Sequence, residues 1–170
     1  MDRAVAIANE FLQRPDGRGL TQMQLQKLVY ISHGWCLAIT GQPLTIEMPQ
    51  AWDYGPVYPE LYDHTKYFGK SAIGRPITPD DERAARFFGS EKRSTPPYRA
   101  QLDATERQIV EYVWQRYGGL SGGRLSALTH QPGTPWSQTF DDGRGKNDEI
   151  GNDLIRAHYR AMAERANAPA

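Results

Sequence analysis

The chain has 170 residues, enough to bury a core without disulfides or metals, and is expected to form a single domain over residues 1–170. Its 20 Lys and Arg balance 20 Asp and Glu, which excludes the overall basic field that recruits nucleic acid or anionic lipid. The lone Cys36 has no internal disulfide partner, no signal-peptide apolar region opens the chain, and no apolar run nears the roughly 18 residues of a spanning helix, so a cytoplasmic protein without a membrane segment is expected.

In chain order, Asp2 is placed to cap a first helix whose Ala4, Ile7, Ala8, Phe11 and Leu12 share one face. After "RPDGRG", Thr21 caps a longer helix over roughly 21–40, with Leu25, Leu28, Val29, Ser32, Trp35, Cys36 and Ile39 at helical spacing. Met23, Ile31 and Leu37 widen that stripe, which predicts a central helix covered on several sides. Gly34 inside it costs about 1 kcal/mol relative to alanine and points to close approach by a neighbour. "GQPLTIEMPQAW" reads as a small β element around residues 44–53, with Thr45, Ile46, Ala51 and Trp52 as its strand formers.

In "AWDYGPVYPELYDHTKYFG" the prolines fall where a helix start tolerates them, because the first helical N–H groups have no acceptor. A helix is therefore predicted from about Pro56 to Tyr67, closed by Gly69. A short helix over Pro79–Phe88 follows, with Asp80, Asp81 and Glu82 complementing its dipole, then an exposed Pro-rich connector at about 89–100. Asp103 and Glu106 form a capping box for a helix carrying Ile109, Val110, Val113, Trp114 and Tyr117, stopped at Gly118–Gly119. Ser121 caps the next helix, which carries Leu125 and Leu128 to His130. "QPGTPWSQTFDDGRGKNDE" reads as a loop with a solvated, mobile end. The last helix starts near Asn152 and presents Leu154, Ile155, His158, Tyr159 and Met162. The fold class expected is a mainly α, compact helical domain with that small β element.

The search for chemistry is largely negative. His33 and Cys36 lie three apart on one helix face, but no CxxC or HExxH pattern completes a metal site. Cys36 lies mid-helix, where nothing lowers its pKa for nucleophilic attack. Glycines in "SGGRLS" are explained by capping and close packing, without a phosphate-loop pattern. No catalytic residue, metal or cofactor is assigned. Two alternatives stay open: an enzyme using Cys36, His33 or His130, and a DNA-binding autoregulator reading residues 103–130 as helix-turn-helix. The second helix of that unit offers only Arg124 and His130 as strong donors, so nucleic acid is not the expected partner.

Four segments together resemble a known family: "LTQMQLQKLVYISHGWCLAITGQPL", "AWDYGPVYPELYDHTKYFG", "LSALTHQPGTPWSQTF" and "LIRAHYRAM". They are similar to the Panacea domain of PanA- and SocA-like antitoxins, which also includes phage-associated GepA-type proteins, over a signature region 20–159. The resemblance implies a mostly helical, non-enzymatic antitoxin of a toxin–antitoxin system that neutralises a co-encoded toxin by direct protein binding. In the SocA-like branch it implies a proteolytic adaptor that delivers the toxin to a Clp-type unfoldase–protease. Leu25, Leu28, Tyr30, Trp35, Gly55, Pro56, Thr129 and His130 carry the signature and suit fold-building. Trp52, Tyr54, Tyr58, Tyr62, Tyr67 and Trp136 are the candidate anchors for the toxin, because Tyr and Trp bury large areas at low entropic cost. A net charge of zero leaves room for a standing partner or a homo-oligomer.

Overall fold

The computed structural model describes residues 2–14, 19–81 and 95–167. Among them are seven helices and one hairpin: α1 (Arg3–Leu12), α2 (Gln22–Thr40), β1 (Gln50–Trp52), β2 (Gly55–Val57), α3 (Pro59–Thr65), α4 (Ala104–Tyr117), α5 (Gly122–His130), α6 (Pro135–Phe140) and α7 (Asn152–Asn167). No helix among the described residues is long and apolar enough to cross a membrane.

Helix α2 is the centre of the packing. Thr21 and Gln24 close a reciprocal capping box at its start, and Gly41, at φ 74°, ends it. Every residue from Leu25 to Leu37 is buried, polar ones included, because α1, β2, α3, α4, α5 and α7 all pack against this helix. Gly34 has the function its position predicted: a Cβ there would fall 2.2 Å from the ring of Tyr159 on α7. That ring also meets Trp35 edge-on at 5.4 Å.

His33 is a core histidine. Its Nδ1 accepts from the Thr45 backbone N–H at 3.2 Å, which leaves the ring proton on Nε2, 2.8 Å from Asn152 Oδ1. Burial lowers its pKa. Cys36 is buried beside Thr40, and burial pushes its thiol pKa up.

On α1, Asp2 occupies the cap position but makes no side-chain cap bond. Asn9, fully buried, holds two distant stretches together. It accepts from Ile77 N and donates to the carbonyls of Ile77 and Tyr98. The Asp103–Glu106 capping box starts α4 as the sequence predicts.

Several expectations are corrected. The strand residues are 50–52 and 55–57, and Thr45 and Ile46 lie in neither. Pro56 belongs to β2, so it does not begin the following helix; Pro59 alone takes the first helical position. A Pro fits β2 because its register partner is Ala51 in a two-stranded ribbon, and its carbonyl is satisfied by a side chain instead. The stretch read as a loop after His130 contains α6, started by the Thr134 cap and Pro135. The end of that loop is tied down: Ala51 N donates to Asp148 O, Asn147 N to Ala51 O, and Ile150 N to Pro49 O, which adds an irregular third edge to the hairpin. Residues 82–94, which carry most of the predicted helix 79–88 and the first part of the connector 89–100, lie outside the described residues. Of what is described, Asp81 pairs with Arg75 and accepts from Thr78 N, while Tyr98 packs edge-on against the His64 ring.

Candidate partner-binding groove

The hairpin is held by side chains from both ends of the chain. Its register pairs Gln50 with Val57, Ala51 with Pro56 and Trp52 with Gly55, leaving Asp53 and Tyr54 as the turn. From α2, Lys27 Nζ donates to Pro56 O at 3.0 Å. Gln26 pairs twice with Tyr58, its amide donating to Tyr58 O and its oxygen accepting from Tyr58 N. From the other side, Trp136 Nε1 donates to Trp52 O at 2.8 Å and Ser126 Oγ donates to Tyr54 O at 3.0 Å. His130 presents Nε2 to Asp53 O at 3.1 Å and Nδ1 to Ser126 O at 2.7 Å. The three consecutive carbonyls of Trp52, Asp53 and Tyr54 are thus each satisfied by a different side chain.

Gly55 is required at its place for two reasons. Its φ of 106° is disfavoured for other residues, and a Cβ there would lie 2.8 Å from Lys27 Cε and 3.0 Å from Thr129 Oγ1. Thr129 turns its hydroxyl back onto the Ser126 carbonyl. On the facing helix, a Cβ on Gly122 would meet Met23 at 3.2 Å, so close packing accounts for that glycine.

Between α2, the hairpin, α3 and the start of α5 runs a groove of about 690 Å³. Trp52, Tyr54, Tyr62, Met23 and Val57 give it an apolar lining, and Lys27 lies at its floor. Trp52 and Tyr62 meet edge to face at 5.0 Å, and the Trp52 indole N–H is held by Gln50. A volume in this range suits a bound side-chain cluster or short segment.

The six candidate anchors therefore separate. Trp52, Tyr54 and Tyr62 converge on the groove, and Tyr54 is 71% exposed. Tyr67 is exposed on the 3-10 turn Lys66–Phe68, away from the groove lining. Tyr58 is corrected: it is fully enclosed, with its hydroxyl accepting from Thr45 Oγ1, and has no surface to offer a partner. Trp136 is buried too, with its N–H committed to the hairpin and its ring against His130 at 4.1 Å, so it builds the fold. The signature residues Leu25, Leu28, Tyr30 and Trp35 all lie in the core. His130 and His33 have their ring nitrogens occupied by backbone or Asn152 contacts.

Gln26, Lys27 and Ser126 belong to no catalytic or metal-binding motif in the sequence, yet all three hold the hairpin. The sequence signal for Lys27 is a charged residue between Leu25 and Leu28 on a helix predicted to be covered on several sides.

The family description "Antitoxin SocA-like, Panacea domain" matches residues 25–137, a span that holds most of α2, the hairpin, the groove aromatics Trp52, Tyr54 and Tyr62, and α5. The chain belongs to this antitoxin family. Antitoxin SocA of Caulobacter vibrioides (strain NA1000 / CB15N) is 30% identical to it over 173 residues, covering 98% of this chain and 87% of the relative. No solved structure matches.

Proposed function

We propose that this chain is the antitoxin of a toxin–antitoxin pair and silences a co-encoded toxin by direct protein contact through the groove. The observation that carries the reading is the convergence of Trp52, Tyr54 and Tyr62 on one apolar groove within the family-matched span. Exposed aromatics around such a groove are the usual anchors of protein interfaces. The finer reading, delivery of the toxin to a Clp-type unfoldase–protease in the cytoplasm, rests on the resemblance of the sequence segments to SocA-like antitoxins. The role needs no catalysis by the antitoxin itself.

The test is co-expression with the product of the adjacent gene. The wild type should co-purify with it and restore growth, and Trp52→Ala with Tyr62→Ala should weaken the complex about 100-fold, as loss of two anchors of about 1–2 kcal/mol each implies. Failure of the wild type to bind or to rescue sinks the reading. Adding the purified chain to toxin, a Clp-type unfoldase–protease and ATP separates the two modes: faster loss of toxin marks delivery, whereas protection marks occlusion.

A further inference from the structure

The groove floor holds a cation that the fold leaves under-used. Lys27 is 1% exposed, and among the described residues one of its three N–H donors has a partner, the Pro56 carbonyl. Gly55 makes the space for it, since a Cβ there would lie 3.0 Å from Nζ. A lysine in this position is costly to bury, and the groove around it is unbalanced in charge. Lys70 lines it without an ion-pair partner among the described residues, and Lys146 is paired with Asp53 at 2.7 Å. Three lysines thus line the groove against one carboxylate.

We infer that the groove takes an acidic segment of the partner, an aspartate or glutamate between apolar residues, with the carboxylate on Lys27 and its neighbours against Trp52 and Tyr62. The inference rests on the reading of this chain as a toxin-binding antitoxin and specifies the chemistry of the toxin segment. A carboxylate supplies the acceptors that the ammonium lacks, as a charge-assisted bond in a site sheltered from water. Burial lowers Lys27 to about 7, so an arriving anion also restores its charged form. Lys70 and Lys146 favour the same sign of occupant at longer range.

The experiment is a random-peptide display selection on the immobilised full chain, with Lys27→Met as a parallel bait, and a thermal melt to establish that the variant is folded. The best peptide is then synthesised in its acid form and with the acid changed to the matching amide, and both are titrated by fluorescence anisotropy. The wild type should enrich peptides carrying Asp or Glu beside apolar residues and bind the acid form about 10- to 100-fold more tightly than the amide. Lys27→Met should bind the two forms equally. Peptides without an acid, no enrichment over the variant, or equal binding of both forms by the wild type overturns the inference. Because this selection uses no toxin, a failed co-purification would sink the toxin reading while leaving the peptide result intact.

Discussion

Burying the Lys27 ammonium with one acceptor lowers the stability of the fold by an amount that depends on pH. Its pKa is 10.5 in the unfolded chain and about 7 in the folded one. Between those values the unfolded state binds more protons, so stability rises with pH and falls again as pH drops towards 7. The full span corresponds to on the order of 5 kcal/mol. The buried Tyr30, Tyr58 and Tyr159, with pKa values raised by burial, oppose this trend only above about pH 10, where unfolded tyrosines ionise. Wild-type thermal midpoints should therefore climb from neutral pH to about pH 9.5. Lys27→Met should flatten that slope and melt several degrees higher at neutral pH. Its lost bond to Pro56 O costs only about 1–3 kcal/mol, less than the desolvation it removes. A variant with the wild-type slope would show that the ammonium is not what titrates. A substitution that stabilises the protein while removing binding is the pattern expected of a residue retained for function.

Among the elements, α2 and α4 were legible because their information is local: capping boxes at Thr21–Gln24 and Asp103–Glu106, then an apolar stripe. Gly34 was legible as well, and its partner was not, since Tyr159 lies far along the chain. Gly34→Ala should push α7 off α2, with a loss of about 1–3 kcal/mol from overpacking. Urea titration followed by intrinsic tryptophan fluorescence reads it, and an unchanged midpoint would mean that α7 slides without penalty. The hairpin was misplaced for the converse reason. Strands of three residues carry almost no pattern of their own, and the bonds that fix this pair come from Lys27, Ser126, His130 and Trp136. Helix α6 has a short local signal, Thr134 followed by Pro135, a cap before a first-turn proline, but too few apolar positions to show a stripe. The groove is half legible: its aromatics Trp52, Tyr54 and Tyr62 stand out in the sequence, yet Tyr58 does not differ from them there, because burial is decided by what packs on top.

Across the whole molecule, α2 touches elements from α1 to α7, so its amides open only when most of those contacts are lost. Hydrogen exchange should therefore find the slowest amides between Leu28 and Leu37, exchanging at the rate of global unfolding, with α3 and α6 faster. Comparable rates in α2 and α6 would contradict a fold organised around one helix. At the surface, the hairpin tip is secured through its main chain: the carbonyls of residues 52, 53 and 54 take the bonds. The Tyr54 side chain projects into solvent, and Asp53 makes only an exposed pair with Lys146. Shape and identity are thereby separated at this spot. The lettering of the tip can be rewritten without disturbing the page that carries it, so partner choice here can change by single substitutions that folding does not register.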